Sequence, residues 1–124
     1  MLEIDGNYGE GGGQILRSSL SLSAILGRPI RIANIRSGRK RPGLAAQHLT
    51  CVNAVAAITN AEVTGGSLGS QTLTFIPKEL RGGNYTFDVA EVRPSAGSLS
   101  LIYQAIALPL AHADVPSTVT LRGG

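Results

Sequence analysis

Apolar residues in the first eighty positions alternate between the two-residue spacing of a strand and the wider spacing of an amphipathic helix. The pattern predicts strands at 1–5, 29–35, 62–64 and 72–76, and helices at 14–26 and 44–59. Elements in this order form a β-α-β-α-β-β unit, whose helices must cover a face of the sheet. We therefore expect an α/β (α+β) fold.

Each predicted helix has a recognisable buried side. For the first helix, the apolar positions are Ile15, Leu16, Leu20, Leu22, Ile25 and Leu26. Its serines are small enough to let it approach a sheet closely, and Gly27 is a stop signal. The stripe of the second helix comprises Leu44, His48, Cys51 or Val52, Val55 and Ile58.

The remainder of the chain repeats the beginning of this order. A strand is predicted at 85–89, a helix opened by Ser95-Ala-Gly-Ser98 runs to about position 111, and a strand follows at 117–121. We assign residues 1–80 to a complete unit carrying the phosphate-site loops and residues 81–124 to a truncated second unit. The chain is thus expected to be the N-terminal part of a longer protein, with apolar surface exposed in its second unit.

Length and composition limit the classes of protein to which this chain can belong. A length of 124 residues suits one ordinary domain, and a single cysteine excludes an internal disulfide framework. Cys51 falls within an apolar helical pattern, which predicts a buried structural thiol. The N-terminus lacks the regions of a signal peptide, and no apolar run has membrane-spanning length. We expect a soluble cytoplasmic protein without a membrane partner.

Charge is distributed very unevenly, although the net charge is only +3. No Asp or Glu occurs from position 11 to position 61, while this stretch contains seven basic residues: Arg17, Arg28, Arg31, Arg36, Arg39, Lys40 and Arg41. The acid at the edge of this region is Glu10. Such an arrangement indicates phosphate binding or phosphate chemistry.

A glycine run precedes the first helix. Gly11, Gly12 and Gly13 allow close backbone approach to a ligand, and the unpaired amides of the following helix favour an anion. The run matches neither a phosphate loop with its lysine nor a dinucleotide fingerprint. Glu10 is a candidate to orient a ribose hydroxyl or a divalent ion; alternatively, it is a solvent-exposed acid favoured near a helix N-terminus.

Arg17 and a later basic loop are candidate phosphate ligands. Arg17 lies three residues after Gln14, on the same helix face, and its side chain is able to reach back over the glycine run. The alternative is a surface arginine whose stem covers apolar neighbours. The loop Arg36-Ser-Gly-Arg39-Lys-Arg41-Pro-Gly43 crowds four positive charges together, which favours a bound anion.

Pro42 and Gly43 are expected to begin the second helix, with Gln47 and His48 in its first turn as an amide and a titratable donor. Alternatively, the basic loop is simply solvated or forms a patch for ribosomal RNA, and His48 is a histidine satisfied by its neighbours.

In the third helix, Gln104 either contacts a base edge or faces solvent, while His112 is expected to be an ordinary surface residue.

Together these segments resemble the RNA 3′-terminal phosphate cyclase family. The motifs are Gly9-Glu-Gly-Gly-Gly-Gln-Ile-Leu-Arg17, Ile35-Arg-Ser-Gly-Arg-x-x-Pro-Gly-Leu44, Gln47-His-Leu49, Leu68-Gly-Ser-Gln71, and Ser95-Ala-Gly-Ser98 with Gln104. The resemblance covers essentially the whole chain in the family's motif order. It implies a ligase in RNA processing that uses ATP to convert an RNA 3′-phosphate into a 2′,3′-cyclic phosphate, through an adenylylated histidine and an RNA–adenylate.

The resemblance also implies roles for individual residues. Its active-site positions are Glu10, Arg17, Arg36, Arg39, Gln47 and His48. It places ATP against Gln104 and the glycines Gly11, Gly12 and Gly13, and Mg²⁺ or Mn²⁺ near Glu10. The implied partners are RNA with a 3′-phosphate end, ATP, and the missing C-terminal part of the same protein.

One departure from the family matters. The family's nucleophilic histidine lies near its C-terminal end, and neither His48 nor His112 corresponds to it. The isolated chain is therefore expected to be inactive. Two alternatives are a non-catalytic cyclase-like RNA-binding protein of ribosome assembly, resembling the nucleolar member, and a generic nucleic-acid-binding module.

Overall fold

A computed structural model describes residues 1–7, 13–88 and 98–122. Within them the chain forms β1 (Leu2–Asp5), α1 (Gly13–Leu26), β2 (Ile30–Ala33), α2 (Ala46–Thr59), β3 (Glu62–Thr64), β4 (Leu73–Ile76), β5 (Asn84–Asp88), α3 (Ser98–Ala111) and β6 (Thr118–Arg122). The predicted order of elements and the mixed α/β (α+β) fold are confirmed.

The first four strands form one sheet in the order β1-β2-β4-β3. β1 and β2 are parallel, with Leu2 opposite Ile30, and α1 is the crossover between them. β4 pairs antiparallel with both β2 and β3. Strand β2 alternates buried isoleucines with an exposed arginine, because one sheet face meets the core and the other faces water.

The second sheet repeats the first connection. β5 and β6 are parallel, with Tyr85 opposite Val119, and α3 joins them as α1 joins β1 to β2. Their inward-facing residues are only half-buried: Tyr85, Phe87, Val119 and Leu121. This two-stranded sheet therefore has a less completely covered apolar face than the first one. The division at residue 80 remains a prediction.

The core lies between the first sheet and the helices, and α3 packs against both α1 and α2. Phe75 and Leu73 from β4 are fully buried against residues of α1 and α2. Cys51 is also fully buried, which confirms the predicted structural position of this thiol. Burial raises the pKa of the Cys51 thiol to about 11, outweighing the opposite influence of Arg17.

The predicted buried side of α1 was partly wrong. Leu22 and Leu26 are 54% and 63% exposed, whereas Ser21 and Ser23 are buried. The Ser21 hydroxyl donates a hydrogen bond of 2.6 Å to the carbonyl oxygen of Ala105 in α3. The small serines thus bring α1 close to another helix, and this contact rotates the two leucines toward solvent.

The predicted start of α2 at positions 42–44 was also wrong, since the helix begins at Ala46. The Leu44 amide donates to the Ser70 carbonyl, and the Leu44 carbonyl accepts from the Gly69 amide. Gly43 has φ +86°, and a Cβ there would lie 2.1 Å from the Gly69 carbonyl oxygen. These bonds tie the segment to a neighbouring turn, so it cannot adopt helical geometry.

Candidate phosphate-binding site

The N-terminal ends of α1 and α2 meet at Gly13 and His48. A Cβ at Gly13 would lie 2.5 Å from His48 Nε2, so only a glycine lets the ring contact the start of α1. Both helices direct their positive ends and unpaired amides toward this junction. Neither helix has an acidic residue in its first turn. The junction is therefore electropositive before any side-chain charge is counted.

His48 caps the start of α2. Its Nδ1 accepts a hydrogen bond of 3.2 Å from the Ala45 amide, and its own amide donates to the Ala45 carbonyl. This is the reach-back that Glu or Gln makes in a capping box. Because Nδ1 is an acceptor, the neutral ring carries its proton on Nε2, the atom facing Gly13.

The His48 ring is also kept uncharged. Burial, together with the smaller effect of the positive charges of Arg36 and Arg17, lowers the pKa of His48 to about 4. The sequence prediction of a titratable donor is therefore wrong near neutral pH. His48 is instead a neutral N–H donor through Nε2. Its Nδ1 accepts a hydrogen bond from the Ala45 amide, as expected for a histidine satisfied by its neighbours.

Arg17 lies at the same junction, one turn into α1. Its Nη2 donates a hydrogen bond of 3.1 Å to Gln14 Oε1. Its Nη1 lies beside Gly13, 2.9 Å from where a Cβ would stand. Its Nε is buried and has no hydrogen-bond partner among the described residues. A buried N–H of a guanidinium is costly to leave unpaired, so the group is suited to an anionic acceptor.

The basic loop at 36–43 closes on itself through Arg36. The Gly43 amide donates to the Ile35 carbonyl, and Arg36 Nη1 donates to the carbonyls of Gly43 (2.7 Å) and Arg41 (3.2 Å). Arg36 also has φ +49°, a strained left-handed conformation for a non-glycine residue. Its described contacts therefore stabilise the loop, and its charge acts on His48.

Three further cations of the loop, Arg39, Lys40 and Arg41, are exposed. Arg39 has interactions of its own and lies close enough to Arg36 to influence it. Burial lowers the pKa of Arg36, and the charge of Arg39 lowers it further. Two guanidinium groups held in this mutual repulsion favour an anion between or beside them.

A groove of about 310 Å³ runs from Arg17 along the contact between α1 and α3. It is lined by Gln14, Arg17, Ser18, Ser21, Leu22, Gln104 and Leu108. The structure thus brings Gln104 of α3 into the same groove as Arg17. The groove has polar side chains at one end and the exposed Leu108 in its wall.

The comparisons with known proteins identify the family. The sequence profile of RNA 3′-terminal phosphate cyclase matches residues 8–124. The chain belongs to this family. Proteins named RNA 3′-terminal phosphate cyclase are 61% identical over 127 residues in Trichormus variabilis and 51% identical over 124 residues in Archaeoglobus fulgidus. All of this chain is covered, but only 36% and 37% of those relatives.

Not every residue implied by the cyclase resemblance is described. Glu10, Gly11 and Gly12 lie outside the described residues, as do Ser95-Ala-Gly97. Gln47 is half-buried in the first turn of α2. His112 is exposed, with Nδ1 2.9 Å from the Leu108 carbonyl, as expected for a surface histidine. Within residues 1–7, 13–88 and 98–122, no helix is long and apolar enough to cross a membrane.

The described part of this cyclase-family chain contains no cluster of three or more His, Cys, Asp or Glu side chains suited to a metal ion. The residues at the helix junction are cationic or neutral donors, which suit phosphate oxygens and repel a divalent cation. The predicted metal position at Glu10 therefore stays a prediction that no described residue supports.

Sequence reasoning missed several residues of the groove. Ser18 and Ser21 line it, and Gln14 contacts both Arg17 and Ser18. The signal was present in the spacing, because residues three and four apart share a helix face. The position of Ser21 in the groove depends on the contact between α1 and α3, which no local sequence pattern reveals.

Proposed function

We propose that this chain is the phosphate-binding part of an RNA 3′-terminal phosphate cyclase, a ligase that converts RNA 3′-phosphate ends into 2′,3′-cyclic phosphates at the expense of ATP, giving AMP and pyrophosphate. The observation that carries the proposal is Arg17 beside the neutral His48 at the junction of two helix N-termini, with the Arg17 Nε buried and without a hydrogen-bond partner among the described residues. Membership of the cyclase family supplies the chemical context.

The junction is suited to hold a terminal phosphate. Arg17 supplies charge and a planar set of N–H donors, His48 supplies a neutral Nε2–H, and the α1 and α2 amides supply further donors. These groups do not need to lose a proton. They would stabilise the negative charge on the phosphate oxygens while the 2′-hydroxyl closes the ring onto phosphorus.

The basic loop at 36–43 has a distinct part in the proposal. Arg36 shapes the loop from within, and the exposed Arg39, Lys40 and Arg41 are proposed to lie at the mouth of the site. There they would contact the phosphate or the preceding RNA backbone. The loop therefore adds affinity and orientation, and Arg39 and Arg17 together add discrimination for the phosphorylated end.

The groove between α1 and α3 is the proposed nucleotide site. It begins at Arg17 and reaches Gln104, whose amide suits the donor and acceptor pattern of a base edge. ATP bound there would supply the AMP group that activates the RNA phosphate. The contribution of this chain is to place that nucleotide next to the phosphate held by Arg17.

The proposal assigns the adenylylated histidine to residues other than those present here. His48 supports this, because its Nδ1 is engaged by the Ala45 amide and its Nε2 carries the proton. A ring nitrogen needs a free lone pair to attack ATP. The 124-residue chain alone is therefore proposed to bind RNA ends without completing cyclisation, and the remaining part of the protein is its proposed partner.

The test compares two oligoribonucleotides that differ only in a 3′-phosphate or a 3′-hydroxyl. The chain is expected to bind the phosphorylated end more tightly, and Arg39→Ala is expected to reduce this preference. Equal affinity for both ends in the unsubstituted chain would contradict the proposal and would favour a generic basic surface, whose binding is salt-sensitive but indifferent to the RNA end. For the whole enzyme, failure to form a protein–AMP adduct with ATP labelled on its α-phosphate would favour a non-catalytic RNA-binding relative.

A further inference from the structure

Gln14 is held between two neighbours on the face of α1 that lines the groove. Its Oε1 accepts a hydrogen bond of 3.1 Å from Arg17 Nη2, and its Nε2 donates one of 3.0 Å to Ser18 Oγ. The serine contact directs the amide nitrogen away from the arginine. The carbonyl oxygen of Gln14 is thereby fixed toward Arg17.

This contact restrains one side of the guanidinium plane. Nη2 donates to Gln14 and Nη1 lies beside Gly13, while the buried Nε has no hydrogen-bond partner among the described residues. A planar, delocalised group that is hydrogen-bonded at Nη2 and buried at Nε has restricted freedom to rotate. The orientation of Arg17 is thus set before any ligand arrives, which lowers the entropy lost on binding.

Helix physics alone would favour a carboxylate at position 14. A negative charge in the first turn of a helix is stabilised by the helix dipole, and Glu three residues before Arg forms a favourable pair. The chain instead has an amide there, in a stretch without any Asp or Glu from position 11 to position 61. An amide accepts the same hydrogen bond without cancelling the charge of Arg17.

We propose that Gln14 is a positioning residue that orients Arg17 while leaving its positive charge undiminished for a terminal phosphate. The proposal rests on the proposed function and adds a selectivity rule to it: position 14 must be a hydrogen-bond acceptor but must not be an anion. Ser18 takes part by fixing which end of the Gln14 amide faces Arg17.

Two substitutions of Gln14 distinguish its effect on the orientation of Arg17 from the effect of a negative charge beside Arg17. Gln14→Glu keeps the acceptor and adds a negative charge, and Gln14→Met keeps the length and removes the acceptor. Asn84→Asp, at the exposed start of β5, adds the same charge away from the groove. For each variant, thermal unfolding and affinity for an oligoribonucleotide with a 3′-phosphate are measured at pH 7.

Gln14→Glu is expected to melt at the same or a higher temperature than the unsubstituted chain, yet to bind the 3′-phosphate end at least tenfold more weakly. Gln14→Met is expected to lose affinity about threefold, and Asn84→Asp to lose less than twofold. Opposite effects on stability and binding are not expected from a residue with a purely structural role. Unchanged binding in Gln14→Glu would overturn the proposal.

Nuclear magnetic resonance of the Arg17 side chain provides a readout that does not depend on RNA. In the unsubstituted chain, rotation of the Arg17 NH₂ group is expected to be slow, and in Gln14→Met it is expected to be fast. If both proteins show equal rotation, Gln14 does not position Arg17. If rotation differs as expected but the unsubstituted chain has no preference for a 3′-phosphate, the positioning contact stands and the proposed function fails.

Discussion

The buried histidine at the helix junction gives the chain a measurable sensitivity to acid. In the unfolded chain His48 should titrate near its ordinary pKa of 6.5, whereas burial and the charges of Arg36 and Arg17 lower its pKa to about 4 in the folded chain. The unfolded state therefore binds more protons between pH 6.5 and 4. Stability is fully present above pH 6.5 and is lost as the pH falls through this window.

The magnitude follows from the two pKa values. Each pKa unit corresponds to about 1.4 kcal/mol, so the complete difference of about 2.5 units is worth about 3.5 kcal/mol. At pH 4.5 most of it is realised, and the expected loss from this one group is about 2.5 kcal/mol. That is a large part of the stability of a small domain, which is typically about 5–15 kcal/mol.

His48→Gln is the variant that tests this reasoning. Glutamine at this position is able to accept the Ala45 amide bond as in a standard capping box, but it does not titrate. Urea unfolding at pH 7.5 and pH 4.5 gives the change in the free energy of unfolding for each protein. The unsubstituted chain is expected to lose about 2.5 kcal/mol more than the variant.

Carboxylates that titrate in this range are common to both proteins and cancel in the difference. His112→Gln is the matched control, because it makes the same exchange at an exposed histidine. Parallel loss of stability in the His48 variant and the unsubstituted chain would refute the claim that His48 is kept neutral by its surroundings.

The remaining predictions concern the glycine at the helix junction and the basic loop. Gly13→Ala is expected to destabilise the chain by about 1–3 kcal/mol in urea unfolding, because its methyl group would overlap the His48 ring, 2.5 Å from Nε2. Gly38→Ala should be nearly neutral, since its nearest neighbour would be 3.6 Å away; equal losses would contradict the overlap. Arg36→Lys is expected to loosen the loop, because an ammonium group on a flexible stem replaces the planar, rigid group whose Nη1 donates to two carbonyl oxygens. Trypsin should then cleave after Arg39 faster than before, and an unchanged cleavage rate would show that the loop does not need Arg36.

Secondary structure was largely predictable because it depends on local periodicity. The alternation in β2 and the stripe on α2 identified their elements and their buried sides correctly. The boundary of α2 was not predictable, since Leu44 is drawn out of the helix by bonds to a turn that is distant in sequence. The exposed Leu22 and Leu26 were misjudged for a similar reason: hydrophobicity predicted burial, but the contact with α3 selects the serine side of α1.

The candidate site was predictable in its charge and less so in its contacts. An acid-free stretch with clustered arginines already indicated an anion. The bonds of Arg36 to its own loop depend on how that loop closes, and no spacing rule reports this. The neutral state of His48 depends likewise on burial and on two arginines brought near it by folding.

The hydroxyl of Ser21, enclosed between α1 and α3, gives the groove a mechanical property. It joins two helices through residues 84 positions apart, and those helices contribute Arg17 and Gln104 to the lining of the groove. A tilt of α1 is therefore expected to move α3 with it. This hydrogen bond therefore helps to fix the distance between Arg17, which would hold the RNA end, and Gln104, which would hold the nucleotide.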